Sequence, residues 1–465
     1  MARGGVTEQA ARTSFRDVFA VGEFRALWTA QLLSVVGDQL ARVALTILVY
    51  SRTRSALLAA ITFVVSIVPT FIGGVTLAWL ADRYPRRRVM IVCDVVRCGL
   101  VLIMALPRVP LAALVALLFV VTLAGAPFVS ARAAVFPDVL TGDKYVMGTA
   151  VTLTTYQFAQ VLGFGVGGAV VGFFGVRTSL AVDAVTFAGS ALILRAWVRP
   201  RPAPASAADG SGARPVSRLA GIAAGARLVF ARPALCLPML FGWLAAFYNA
   251  PEGVVTPLAA GLGGGALAVG VILAANALGE TAGAIVFSRF VVPATRLRFM
   301  GPLAVGSCAV LLFFALRPGL FATLAILAAS GLFACFQLVA NAAFVTAAPQ
   351  EQRSQAFGLA QGGMSLGQGA VMIAAGAAAQ HVAPARVITV CGAVGTILAL
   401  AIALAWSRYR GSQAGGGRHA GQGRRADPGS RGDQGNGADQ GNTADQGGRT
   451  DQDREEDRGR QADVR

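Results

Sequence analysis

The sequence predicts an all-α integral membrane protein, with twelve transmembrane helices in two pseudo-symmetric six-helix bundles. Three observations lead there. Apolar stretches of the length that crosses a bilayer, about 20 residues of helix, recur along all 465 residues. Charged residues make up only 14% of the chain against 55% hydrophobic ones, with a mean hydropathy of +0.62, whereas a soluble domain is about a quarter charged. A segment rich in Pro, Ala, Ser and Gly, residues 199–217, divides the apolar stretches six and six.

Residues 1–24 carry charges but no apolar core, so they read as a cytoplasmic segment, and the first apolar stretch reads as a retained helix. Breaks at Pro, Gly and Arg clusters place the spans near 26–50, 57–81, 88–106, 110–130, 147–173 and 178–198, then 235–258, 265–288, 299–316, 320–345, 355–379 and 386–407. The N-terminal bundle is expected over 25–198, a flexible cytoplasmic linker over 199–232 and the C-terminal bundle over 233–407. Residues 408–465, with the loose repeat GDQGNGADQGNTADQGG, hold too little apolar surface to offset the entropy of ordering and are expected to be a disordered cytoplasmic tail. The halves echo each other: RAAVFPDVLTGDKYVMG at 132–148 and NAAFVTAAPQEQRSQAFG at 341–358 both pass a Pro and a charged turn before a Gly-rich stretch. Their offset, roughly 210 residues, is what two parallel six-helix repeats leave in a sequence.

The net charge is +17. The tail from Arg408 is nearly balanced, with 11 Arg against 10 acids, so the excess lies in the short gaps between spans. Gaps on one side hold Arg83, Arg86, Arg87, Arg88, Arg132, Lys144, seven Arg of the linker region, Arg289, Arg296, Arg298 and Arg353, 17 in all; the opposite gaps hold 6. That bias places both termini in the cytoplasm, with the chain spanning the plasma membrane and the lipid bilayer as its surroundings. It is a topogenic pattern, not a nucleic-acid-binding face.

Enzyme and metal readings find little support. Lys144, the only lysine, follows Asp143 and makes no P-loop, and His381 and His419 are the only histidines. Gly363-Met364-Ser365-Leu366-Gly367 matches GxSxG but lies in an apolar span, where helix packing explains it better than a nucleophile elbow. The six cysteines lie in apolar stretches and read as buried, reduced thiols. No metal and no cofactor is expected.

Two motifs carry more. The gap after the second span reads Ala78-Trp79-Leu80-Ala81-Asp82-Arg83-Tyr84-Pro85-Arg86-Arg87-Arg88. The fifth span contains Leu162-Gly163-Phe164-Gly165-Val166-Gly167-Gly168, whose small residues let helices approach closely. The first resembles the signature loop of the major facilitator superfamily, G-x-L-A-D-R-x-G-R-R, with Ala78 and Pro85 in place of its glycines. The second resembles that family's antiporter motif, G-P-x-x-G-G, with Phe164 in place of Pro. The opening FRALWTAQLLSVVGDQLARVAL is similar to the branch containing enterobactin-type siderophore exporters and macrolide and multidrug efflux proteins. The family's Arg within the fourth span is missing from 110–130. The resemblance covers about residues 20–407. It implies a monomeric transporter of small molecules, worked by rocking the two halves and driven by a proton gradient, with Asp82, Arg83, Arg86 and Arg87 as a conformational-switch loop and Gly163, Gly167 and Gly168 as a helix-packing motif.

Ionisable groups within the spans are functional candidates, because each costs roughly 2.5–3.5 kcal/mol at mid-bilayer. Asp38 and Arg42, four apart, share a face of the first span and can pair; Asp38 is the candidate coupling carboxylate. Asp94 and Arg97, three apart in the third span, form a candidate gating or structural pair. Glu252 follows Tyr248, Asn249 and Pro251, a polar break in the seventh span of the kind that borders a cavity or gate. Asn249, Tyr156 and Gln157 are candidates for lining a substrate path. Export of an amphipathic drug, siderophore or metabolite, uptake of a nutrient, and a non-transport sensor or assembly role compete; the 26 Phe and the sparse core charges favour the first.

Overall fold

A computed structural model describes residues 15–201, 226–349 and 352–422. Among them every regular element is helical; after a short helix, Phe15–Phe19, the chain runs through the helical segments α1 to α12. The first six are α1 (Gly22–Thr53), α2 (Ala56–Val65, Val68–Thr76 and Leu80–Arg83 in file), α3 (Arg86–Ala105), α4 (Leu111–Val139), α5 (143–174) and α6 (176–197). The second six are α7 (233–261, in four short pieces), α8 (Ala266–Phe290), α9 (Pro293–Ala309 with a 3-10 turn Val310–Leu316), α10 (Leu320–Phe333 and Phe336–Ala347), α11 (Arg353–Ala378) and α12 (Pro384–Gln422). Among the described residues nine helices are long and apolar enough to cross a membrane. One of these nine is the continuous stretch Asp143–Trp197, which breaks into α5 and α6 at Gly175, where φ 85° and ψ 168° favour a residue without Cβ. α3 falls short because it holds Arg86, Arg87, Arg88, Asp94 and Arg97, and α11 (Arg353–Ala378) is also not among the nine.

Several boundaries differ from expectation. The fourth helix does not stop at 130 but runs to Val139 with Pro127 and Pro137 inside it, so Arg132 belongs to a helix and not to a loop. The chain past Arg408 continues α12 to Gln422, since extending a formed helix avoids the cost of nucleating one. The remaining tail, and linker residues 202–225 with Arg214 and Arg218, lie outside the described residues. GxSxG lies inside α11, with no strand before it.

The described residues up to Gly411 form one compact unit; of the second unit the described part is the helical stretch to Gln422. In the first unit the two halves meet chiefly through α5 on α8 and α2 on α11. The α5–α8 approach depends on paired glycines: a Cβ on Gly168 would stand 2.7 Å from Gly270 Cα. At the end of the bundle away from the 83–88 loop, Gln380 Nε2, just past α11, donates to Ser55 Oγ at the start of α2 (2.9 Å).

The packing differs between halves. The N-terminal half has two apolar clusters, one around Phe24, Leu27, Met90, Phe136 and Leu140, the other around Leu45, Val101, Leu118, Leu180 and Phe187. The C-terminal half has one large cluster, which includes Phe241, Phe314, Phe336 and Met372 and reaches across to Val43, Phe63, Val64 and Phe164, and a smaller one around Leu235, Met239, Phe344 and Ala356.

Candidate functional site

Between the two apolar clusters of the N-terminal half lies a cavity of about 390 Å³. α1 lines it with Gln31, Ser34, Asp38 and Arg42, positions three or four apart that form one face. α4 lines it with Leu118, Thr122, Gly125, Val129 and Arg132 on the same period. Arg97 of α3, Tyr156 of α5 and Asp183 of α6 complete the polar wall. Tyr156 is 41% exposed, yet it is enclosed by protein; the surface it offers faces the cavity.

Arg97 is the centre of the charge network. It pairs with Asp38 of α1, its Nη1 donates to Ser34 Oγ at 3.1 Å and lies 3.9 Å from Asp94 Oδ1, and its guanidinium sits 4.0 Å from the centroid of Phe187. Asp94 is fully buried and accepts a 2.5 Å hydrogen bond from Ser190 of α6. Charges taken from water survive when paired and hydrogen-bonded, and this network joins α1, α3 and α6 that way. The Asp38–Arg42 pair allowed by spacing is not formed. Arg42 turns instead to the Ser66 carbonyl (3.2 Å) and the Phe63 ring (5.5 Å), because the α3 guanidinium occupies the Asp38 carboxylate. Arg97 therefore borders the cavity, while Asp94 stands behind it.

Asp183 and Arg132 were not among the site candidates. Asp183 is 1% exposed, and its Oδ2 has no hydrogen-bond partner among the described residues. It packs where α1 has Gly37, so that a side chain there would collide with it. Gln157 is half-buried and does not border the cavity.

In the C-terminal half, α7 breaks at Leu244, Asn249 and Val254, around the polar sequence that contains Glu252. Asn276 of α8 donates to Asn249 Oδ1 at 3.4 Å and stands beside both Glu252 and Glu280. Tyr248 accepts from Gln337 of α10 at 3.1 Å. Glu252 and Arg42 lie within electrostatic reach of one another across the halves but form no ion pair.

The signature-like loop ties down helix ends. Arg86 bridges Asp138 (3.0 Å) and the Ala134 carbonyl (2.9 Å) near the end of α4, and Arg87 donates to the carbonyls of Leu194 (3.3 Å) and Arg195 at the end of α6, where cations suit the helix dipole. Asp82 and Arg83 are exposed; their backbone N–H groups donate to the Trp79 carbonyl, and neither side chain forms a hydrogen bond or ion pair among the described residues. Gly163 and Gly167 seat α5 on α1, where added Cβ atoms would lie 2.7 Å from Gln39 Cβ and 3.2 Å from Leu40 Cα, while Gly168 faces α8. Nearby, Glu23 holds Arg201 by a double hydrogen bond (2.6 and 3.0 Å), which keeps that guanidinium above its usual range.

A helical membrane bundle with a polar cavity defines the class, and comparison gives the family. The Major Facilitator Superfamily model matches residues 27–292, more than half of the chain, and the protein belongs to that family. Solved structures agree on the fold. A POT family transporter in complex with 5-aminolevulinic acid is 11% identical with a TM-score of 0.66, covering 83% of this chain and 96% of its own. The nucleoside transporter NupG is 14% identical with a TM-score of 0.62, covering 83% and 99%. A bacterial homolog of the human lysosomal transporter Spinster, inward-facing and occupied, is 15% identical with a TM-score of 0.62, covering 83% and 96%. No curated protein matches in sequence.

Proposed function

We propose that the protein is a monomeric, proton-coupled exporter of a small amphipathic molecule (a drug, siderophore or other metabolite) working by alternating access in the plasma membrane, both termini cytoplasmic. Residues 25–198 and 233–407 are the two rocking halves, joined by the linker 199–232. The observation that carries the reading is Asp38: a carboxylate bordering the cavity, 37% exposed, and paired to a guanidinium of another helix that Asp94 can also hold. Protonating Asp38 breaks its charge pairing, and Arg97 then has Asp94 to fall back on, so a proton can be exchanged without stranding a buried cation. The cavity mixes polar groups with Val101, Met104, Val121 and Phe128, which suits an amphipathic load. The opening FRALWTAQLLSVVGDQLARVAL supports the siderophore and drug-efflux branch.

The reading is tested in inside-out vesicles. An imposed pH gradient, acid inside, drives accumulation of an exported dye, and Asp38→Asn abolishes the gradient-driven part while leaving downhill exchange. Full proton-coupled transport by Asp38→Asn would overturn the coupling role. Uptake of a nutrient is the second reading, favoured by how strongly charged the cavity is; accumulation with the opposite gradient would select it.

A further inference from the structure

Arg42 and Arg132 are the two cavity guanidiniums for which no carboxylate partner is found among the described residues. Arg97, the third, is taken by Asp38 and Asp94. The Arg42 side chain makes one hydrogen bond among the described residues, to a backbone carbonyl, and its Nε is buried without a partner there. The buried Nε of Arg132 has none either. Tyr156 lies within electrostatic reach of both. The other lining carboxylate, Asp183, is sealed to 1% exposure and offers the cavity almost no surface. A guanidinium has five donors in a flat fork that matches an oxyanion, and no carboxylate among the described residues takes up those of Arg42 or Arg132.

We propose that Arg42 and Arg132, with the Tyr156 hydroxyl as a third donor, hold an oxyanion on the substrate, so that the transported molecule is an amphipathic acid. This rests on the transporter reading and names its substrate class. The apolar side chains of α3 and α4, Val101, Met104, Leu118, Val121 and Phe128, receive the rest of the molecule. The two cations belong to α1 and α4, so one anion draws two helices of the same half together. Arg42 also feels Glu252 of α7, so the bound anion replaces part of a field that the other half supplies.

The test uses the full chain in lipid nanodiscs and three probes of the same shape: 2-naphthylacetate, 2-naphthylacetamide and 2-(2-naphthyl)ethylammonium. Equilibrium dialysis should rank them acid, amide, amine. Arg42→Gln and Arg132→Gln should each weaken the acid roughly tenfold, as expected for losing a hydrogen bond to a charged group, and weaken the amide less. Arg42→Lys and Arg132→Lys keep the charge, so they should keep the ranking; they also show whether a glutamine variant failed by misfolding. The proposal is overturned if the amine binds as well as the acid, if both glutamine variants bind the acid normally, or if none of the three binds. Proton-driven flux of a cationic dye without any preference for acids would sink the anion site and spare the transporter reading. A preference for acids without flux of any probe would do the reverse.

Discussion

The two halves share a fold and solve opposite problems. The N-terminal half splits its apolar core in two and sets a charged layer between the parts, with Asp38, Arg97 and Asp94 in contact and Arg42 and Arg132 nearby. The C-terminal half also has two apolar clusters, one large and one small around Leu235, Met239 and Phe344, but no layer of ion pairs is found between them among the described residues, and Glu252 and Glu280 are confined to a break in α7 and the facing turn of α8. The first arrangement places paired charges beside a cavity; the second buries its carboxylates without an ion pair. The largest apolar cluster extends from the C-terminal half into α1, α2 and α5, so the surface between the halves belongs to the half with fewer charges.

The strongest way to break this comparison is to remove one charge from each half. Arg97→Gln leaves Asp38 and Asp94 without their cation. Stranding a buried partner costs about 3–5 kcal/mol, so the variant should show a large drop in thermal unfolding midpoint in detergent and lose transport. Adding Asp38→Asn should recover part of the stability, because one uncompensated carboxylate goes with it. Glu252→Gln has no ion pair to break and should cost under about 1 kcal/mol. Equal losses for Arg97→Gln and Glu252→Gln would mean that the charged layer is not peculiar to the N-terminal half.

Much of this was legible in the sequence, and the failures have physical causes. Span lengths were readable because lipid thickness sets them. Asp38 was readable because a carboxylate in an apolar helix stands out. Its partner was not: i,i+4 spacing sees one helix only, and the guanidinium that holds Asp38 comes from α3, 59 residues away. Arg132 was lost by ending the fourth span at 130, although Leu118, Thr122, Gly125, Val129 and Arg132 already repeat at helical spacing. Asp183 was visible as a charge, but its burial against Gly37 depends on how α6 meets α1, which no local pattern encodes.

An intermediate effect is expected where the halves touch. Gly168→Leu must push α5 off α8, because its Cβ alone would come 2.7 Å from Gly270 Cα. Overpacking of this kind costs about 1–3 kcal/mol, and transport should fall further than stability, since the contact lies between the moving halves. Gly165→Ala is the control: its Cβ would stand 4.0 Å from Ala274 Cβ, an ordinary contact. If both variants transport normally, the α5–α8 approach is not a constraint on motion.

The smallest effect concerns how the N-terminal half closes on itself. Glu23 at the start of α1 holds Arg201 just past α6 through two hydrogen bonds and accepts a third from the Arg199 backbone (3.0 Å). The Arg201 side chain is 28% exposed, so water and salt screen the pair. Glu23→Gln should cost only about 0.5–1 kcal/mol, less in high salt. Arg201, held above its usual range, keeps its charge at every accessible pH, so any loss of the bridge on acidification reports the carboxylate alone. Stability contributed by that carboxylate is present at neutral pH and fades as acid protonates it, and Glu23→Gln should erase that acid-dependent part of the unfolding curve. A loss as large as that of Arg97→Gln would show that charge at the rim of the N-terminal half matters as much as charge in its interior, and the contrast between a sealed network and a screened pair would fail.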